Sequence, residues 1–223
     1  MIERVRIRDK KYETVLKRQE EEFKKRIVFR KRKEPLPEDI VFFVEHQPVY
    51  TLGRHADDRH LLLPEAMLKE KGIETMRIER GGDITYHGPG QLTVYPILDM
   101  QRYGLGVKDY VDLLEETVIL TLRDYGILGE RIEGKTGVWI GKDTVEERKI
   151  SAIGIKCSRY VCMHGVALNV SSDMTGFAGI VPCGLRQGVT SISLETGREV
   201  DFDEVEEKVW LYLTGLLVKR IKI

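Results

Sequence analysis

The sequence predicts a single α/β domain of the α+β type, built on a mixed, mostly antiparallel sheet with flanking helices. Three observations carry this prediction. Short runs rich in β-branched and aromatic residues recur along the chain, among them IVFFVE, QLTVYPIL, GVWIG and VCMHGVALNV. Between and around them, longer segments place apolar residues at spacings of three and four, the period of an amphipathic helix. The strict alternation of one strand with one helix that marks a doubly wound parallel sheet is absent.

Taken in order, residues 9–27 carry Tyr12, Val15, Leu16, Gln19 and Phe23 on one face, which predicts a first helix with a charged outer surface. After the loop EPLPED, Ile40 to Glu45 read as a buried strand. Pro64 opens a short helix that Gly72 stops. ETMRIE then alternates into the glycine-rich RGGDITYHGPGQ, and QLTVYPIL leaves it, so the GPG at 88–90 is expected to turn one strand into the next. Val107, Tyr110, Val111, Leu114, Val118, Leu122 and Tyr125 predict a long helix ended by Gly126. GVWIG and KISAIGIKC read as strands, and VCMHGVALNV follows after the tight SRY connection, predicting a hairpin or meander. Asp201 and Glu204 have capping-box spacing ahead of a last helix, with Val205, Val209, Tyr212 and Leu216 on one face.

Composition bounds what such a domain does. The 223 residues, 42% of them apolar, suffice for one core spanning residues 1–223. Thirty-six basic residues balance thirty-six acidic ones, so no global field draws the chain to nucleic acid or to a membrane. No apolar run approaches the roughly 20 residues of a membrane span, and MIERVRIRDKKYE lacks a signal-peptide core, so a cytoplasmic protein is expected. The odd count of three cysteines argues against a disulfide framework there. A charged fraction of 32%, with Asn169 the sole asparagine, fits a heat-adapted host.

Two segments stand out chemically. RGGDITYHGPGQ matches neither the GxxxxGK of a phosphate loop nor the GxGxxG of a dinucleotide fold. A glycine bend that carries Tyr86 and His87 and opens onto apolar strands better suits the wall of a narrow pocket with a few polar fixers. Cys183 stands in GIVPCGLRQG, between proline and glycine, where an accessible thiol is placed. Cys157 and Cys162 fall in strand-like runs and read as small buried hydrophobes. A zinc shell of Cys157, Cys162, His164 and Cys183 is chemically valid, although C-x4-C-x-H spacing inside a strand pair suits it poorly.

RGGDITYHGPGQLTVYPILDM, GVWIG, RKISAIGIK, HGVALNV and FAGIVPCGL, in that order, resemble the motif set of the lipoyl(octanoyl) transferases. EHQPVYTLGRH upstream is similar to the family's EHPPVYTLGR, with Gln47 in place of a proline, and the match runs from about Val41 to Ser193. The resemblance implies a fold similar to the catalytic domains of biotin protein ligases and lipoate-protein ligases. It implies an enzyme, without a cofactor, that takes an octanoyl group from acyl carrier protein, holds it on a cysteine as a thioester, and passes it to a lysine of a lipoyl domain. The acceptors it implies are 2-oxoacid dehydrogenases or the glycine cleavage H protein. Carried onto this sequence, the acyl-accepting cysteine is Cys183 and the lysine that activates it is Lys149. The substrate pocket falls on Arg80, Gly81, Gly82, Asp83, Ile84, Thr85, Tyr86 and His87, on Ala152, Ile153 and Gly154, and on His164, Gly165 and Val166. No metal is implied.

The pairing of lysine with cysteine has a physical logic of its own. A free thiol is only about 3% thiolate at pH 7 and a free amine is almost wholly protonated. Brought together in a partly dry pocket, an ammonium lowers the thiol's pKa while desolvation lowers the amine's, so the two can exchange a proton. Two other readings of the same residues remain. An ATP-dependent lipoate or biotin ligase would share the fold but has no use for Cys183, and a non-catalytic module that binds acylated carrier protein has no use for the pair. Residues 23–33, FKKRIVFRKRK, concentrate seven cations that offer a landing surface to an acidic carrier protein.

Overall fold

The computed structural model describes residues 2–181 and 188–221. Its main sheet has eight strands. They are β1 (Ile2–Lys10), β2 (Asp39–His46), β6 (Gln91–Ile97), β7 (Glu130–Ile132), β8 (Lys135–Ile140), β9 (Arg148–Ser158), β10 (Val161–Asn169) and the two-residue β11 (Gly188–Val189). The order across the sheet is β1-β2-β6-β10-β9-β8-β7, with β11 paired to β9. Within this sheet, among the described residues, only β1 with β2 and β11 with β9 run parallel, so it is mixed and mostly antiparallel as the sequence predicts. A second sheet of three strands has the order β4 (Glu74–Arg77), β3 (Val49–Leu52), β5 (Ile84–His87).

Strand alternation sorts the core into two layers. Val41 and Phe43 of β2 face α3 (Val107–Arg123) and α5 (Phe202–Val218), joining Leu114, Val118, Val209 and Leu213 in one buried cluster. Phe42 and Val44 face the other way and pack with Tyr12, Val15 and Phe23 of α1 (Tyr12–Arg32). The short α2 (Glu65–Glu70) and residues 174–180 cover the small sheet. Asp201 caps α5 by accepting from the backbone of Asp203 and Glu204. The Glu204 carboxylate takes the Tyr125 hydroxyl at 3.3 Å instead of closing the expected capping box.

At three places the structure adds to or corrects the sequence reading. The first strand, β1, hides behind its charges. Arg4, Arg6 and Arg8 alternate with Val5 and Ile7, and all three reach the fully buried Glu206 carboxylate on α5. The GPG turn does join two strands, but β5 and β6 belong to different sheets, so it is the passage from one sheet to the other. Cys157 and Cys162 are cross-strand partners on β9 and β10 and form a disulfide, which the reading of them as separate buried thiols excluded. The β9–β10 hairpin that brings them together turns on Arg159 and Tyr160, both at positive φ, the signature of a two-residue turn matched to sheet twist. The disulfide also removes two ligands from the zinc shell. Among the described residues no group of three or more His, Cys, Asp or Glu could hold a metal.

Candidate active site

A cavity of about 430 Å³ lies against β5, β9 and β10, within the size range of small-molecule sites. Its walls contain Arg80, Gly82, Asp83, Ile84, Thr85 and His87 from the glycine-rich segment, Lys149 and Ala152 to Gly154 from β9, and His164 to Val166 from β10. Segments far apart in sequence thus meet at one place. Gly81 stands just behind this wall, its amide donating to the Ile155 carbonyl at 3.0 Å. Tyr86 is not part of it. Alternation along β5 turns Tyr86 to the opposite face, where it packs edge-on against Tyr50 and Phe177. Cys183 lies outside the described residues.

The glycine bend is held on both sides. Gly53, Arg54 and His55 donate their amides to the carbonyls of Asp83, Arg80 and Gly82. Arg80 folds inward and bonds the Thr51 carbonyl at 2.7 Å and its hydroxyl at 2.9 Å, and the residue is 7% exposed. Gly82 adopts φ +87°, a conformation that side chains resist. On the facing strand, a Cβ at Gly154 would meet the Gly81 carbonyl at 2.8 Å, so glycine there lets the bend sit directly on β9.

One wall of the cavity is polar and buried. Tyr12 and Tyr95 line it beside His87 and His164, and none of the four is more than 6% exposed. The Gln91 amide donates to the Tyr86 carbonyl and to the Asn169 side chain, so its oxygen accepts from His87 Nδ1 at 2.7 Å. His87 Nε2 therefore accepts from the Thr51 hydroxyl at 3.3 Å, and the ring is neutral. Burial drives the His87 pKa well below the usual value, with His46 and Arg80 adding repulsion. Burial likewise lowers His164 to about 3, helped by Arg80, and His46 to about 4. Tyr12 is pushed up to about 12 by burial. His164 sits at φ +60°, and its Nδ1 has no hydrogen-bond partner among the described residues, a strained and unsatisfied group beside the cavity.

Lys149 is 7% exposed and enters the cavity from the start of β9. Its Nζ donates to the Thr136 carbonyl at 3.2 Å and lies 4.6 Å from the centre of the Trp139 ring. At this point β9 is flanked by β8 on one edge, Trp139 opposite Lys149, and by β11 on the other, Val189 opposite Lys149. The chain on the other side of Cys183 is held too, since Val181 donates to the His60 carbonyl at 2.8 Å. The His60 side chain bonds Asp83 of the cavity wall at 2.5 Å. Both described flanks of Cys183 are therefore tied to elements that line the cavity.

Tyr12, Tyr95 and Thr136 were not expected here. Tyr12 and Tyr95 read as members of apolar stripes, and the one signal for a polar role was the hydroxyl that each carries into an otherwise apolar face. Thr136 contributes a backbone carbonyl, which no side-chain pattern reveals.

A profile of the lipoyl protein ligase A/B catalytic domain matches residues 22–214. A protein named octanoyltransferase from Bacteroides fragilis strain YCH46 is 50% identical over 184 residues, 82% of this chain and 83% of its own length. One of the same name from Flavobacterium johnsoniae is 51% identical over 185 residues, covering 82% and 80%. Among solved structures, a bipartite lipoate protein ligase from Thermoplasma acidophilum superposes with a TM-score of 0.70 at 18% identity, over 98% of this chain and 85% of that one. A biotin protein ligase from Aquifex aeolicus gives 0.53 at 14%, over 98% and 69%. These two likenesses show the shared fold alone, and no helix among the described residues is long and apolar enough to cross a membrane. The chain belongs to the lipoyl protein ligase A/B catalytic-domain family and, within it, to the octanoyltransferases, the acyltransferases of protein lipoylation.

Proposed function

We propose that this chain is a cytoplasmic enzyme that moves an octanoyl group from acyl carrier protein, through a thioester on Cys183, to a lysine of a lipoyl domain. The observation that carries the reading is the placement of Lys149. It is buried at a cavity edge, and the strand just downstream of Cys183 pairs with it directly at Val189. The motif resemblance assigns the nucleophile and its activator to these two residues.

In the first step the Cys183 thiolate attacks the donor's thioester carbonyl, and the carrier's thiol leaves with a proton from Lys149. In the second the acceptor's amine attacks the acyl-cysteine carbonyl, its proton passes to Lys149, and the Cys183 thiolate is released. Thioester exchange is close to energy-neutral and thioester to amide runs downhill, so the cycle closes without ATP. His164, Arg80 and the bend at Gly82 shape the space for the acyl chain, and the unpartnered His164 Nδ1 is available to a polar group of the substrate.

Intact-protein mass spectrometry after incubation with octanoyl carrier protein tests this reading. The wild type is expected to gain one octanoyl group that hydroxylamine removes, and Cys183→Ala to gain none. A hydroxylamine-sensitive adduct on Cys183→Ala would overturn it. Transfer that needs added ATP would return the chain to the ligase reading.

A further inference from the structure

The GVWIG segment has no part in the reaction as written, yet the fold brings its tryptophan to the centre of the site. Trp139 and Lys149 are directly opposed residues of neighbouring antiparallel strands, so their side chains leave the sheet on the same face. The pairing is not regular. Val138 opposes Ser151 and Trp139 opposes Lys149, so Ile150 is an extra residue on β9 and the ladder is bulged between them. Bulges of this kind re-aim a side chain next to active sites. Here the bulge puts the Lys149 ammonium 4.6 Å from the Trp139 ring centre, within cation–π range.

Trp139 itself is fixed. It is 1% exposed, and its indole nitrogen donates to the Lys135 carbonyl at 2.9 Å. The turn of β8 that carries the Thr136 carbonyl is fixed as well, because Glu115 of α3 accepts from the Gly137 amide at 2.9 Å. Gly137 has φ +119°, and a Cβ there would meet the Ser151 carbonyl at 2.3 Å. An aromatic face and a carbonyl of one strand thus converge on the Lys149 ammonium, while the Lys135 ammonium, 5.3 Å from the same ring centre, is paired with Glu147.

We propose that Trp139 is a positioning residue: its ring and the Thr136 carbonyl form a seat that holds the Lys149 ammonium in place for proton exchange. The proposal rests on Lys149 acting on Cys183. It predicts that loss of the aromatic face impairs the chemical step while leaving donor binding alone, because the ring touches the lysine and not the acyl chain.

The test compares Trp139→Leu with Trp139→Phe, alongside Lys149→Ala. Trp139→Leu keeps an apolar filler without a π face and is expected to lose roughly tenfold in kcat with KM for octanoyl carrier protein unchanged, and to shift the pH profile of Cys183 alkylation to higher pH. Trp139→Phe keeps a ring and should restore most of both. A folded Trp139→Leu with the wild-type kcat and alkylation profile overturns the seat. If Lys149→Ala is itself fully active, the underlying Cys183–Lys149 reading fails instead, so the two failures are distinguishable. Should Trp139→Leu not fold, Trp210→Phe leaves Trp139 as the sole indole. Its emission maximum at neutral pH should then shift when Lys149→Met is added, and identical emission spectra in the two proteins overturn the seat.

Discussion

Val189 and Lys149 are parallel-strand partners, and the Thr190 amide donates to the Lys149 carbonyl at 3.0 Å, so the backbone that follows Cys183 is fastened to the backbone of its proposed activator. The pairing gives the two residues different modes of failure. Lys149→Ala keeps the nucleophile and loses the proton partner. Acyl loading should then be slow near neutral pH and recover partly as pH rises toward the free thiol value of about 8.5, where the thiolate forms unaided. Thiol labelling across pH reads the same change without substrate. A Lys149→Ala protein with unaltered labelling and transfer rate would remove the lysine from the mechanism.

The sequence shows this site where a residue's own chemistry or conformation marks it, and conceals it where topology does. Arg80, Gly82 and His87 of the cavity wall are legible because glycines, an arginine and a histidine rarely crowd together without a backbone reason. Tyr12 and Tyr95 are not legible, since a tyrosine in an apolar stripe looks like core until two elements converge on its hydroxyl. Tyr86 fails in the opposite sense: one position along β5 decides between cavity and packing face, and only the sheet assignment fixes it. The basic stretch at 23–33 shows how charge counts mislead. Of its seven cations, Lys24 pairs with Glu20, Arg26 with Glu22, Arg30 with Asp99 and Arg32 with Glu34. These four partners offset part of the positive charge that the stretch would present to a carrier protein.

The disulfide between Cys157 and Cys162 predicts a thiol count. The chain has three cysteines, so protein unfolded in denaturant without reductant should show one reactive thiol, at Cys183, and prior reduction should raise the count to three. The bridge closes a loop of only a few residues that the β9–β10 turn already holds, so replacing both cysteines by serine should lower Tm modestly and leave acyl loading intact. Three reactive thiols in the unreduced, unfolded protein would show that the pair is open. On the proposed cytoplasmic location, such a disulfide is of the kind established in hyperthermophiles, in keeping with the charged, asparagine-poor composition.

Acid should destabilise this fold well before most carboxylates titrate. Burial lowers His46 to about 4 and His164 to about 3, and holds His87 well below its usual value. For each, the unfolded chain binds a proton near pH 6.5 that the folded chain refuses. Their neutral forms thus contribute stability that is fully present above pH 6.5 and lost as pH falls toward 3 to 4. Each histidine steepens the decline by up to about 1.4 kcal/mol per pH unit. Urea unfolding at pH 7, 6 and 5 should show the midpoint dropping, and His46→Gln should flatten the slope. A midpoint constant from pH 7 to 5 would mean the three rings titrate as exposed ones do.

The bend at Gly82 offers the sharpest test of the cavity wall. Its φ of +87° suits glycine alone, and a Cβ there would stand 3.3 Å from the Arg80 guanidinium, which is itself locked onto Thr51. Gly82→Val therefore both strains the backbone and presses on Arg80, because a β-branched side chain has little freedom to turn away. Loss of stability alone would not implicate the cavity, so the comparison needs a glycine with similar strain elsewhere. Gly104, at φ +61°, has nothing within 4 Å of a built Cβ. Gly104→Ala should cost about 1 kcal/mol of stability and load acyl groups at the wild-type rate. Gly82→Val should remain folded at 25 °C yet load at least tenfold more slowly. Equal loading by the two variants would show that the bend only shapes the passage between sheets and does not bound the acyl chain.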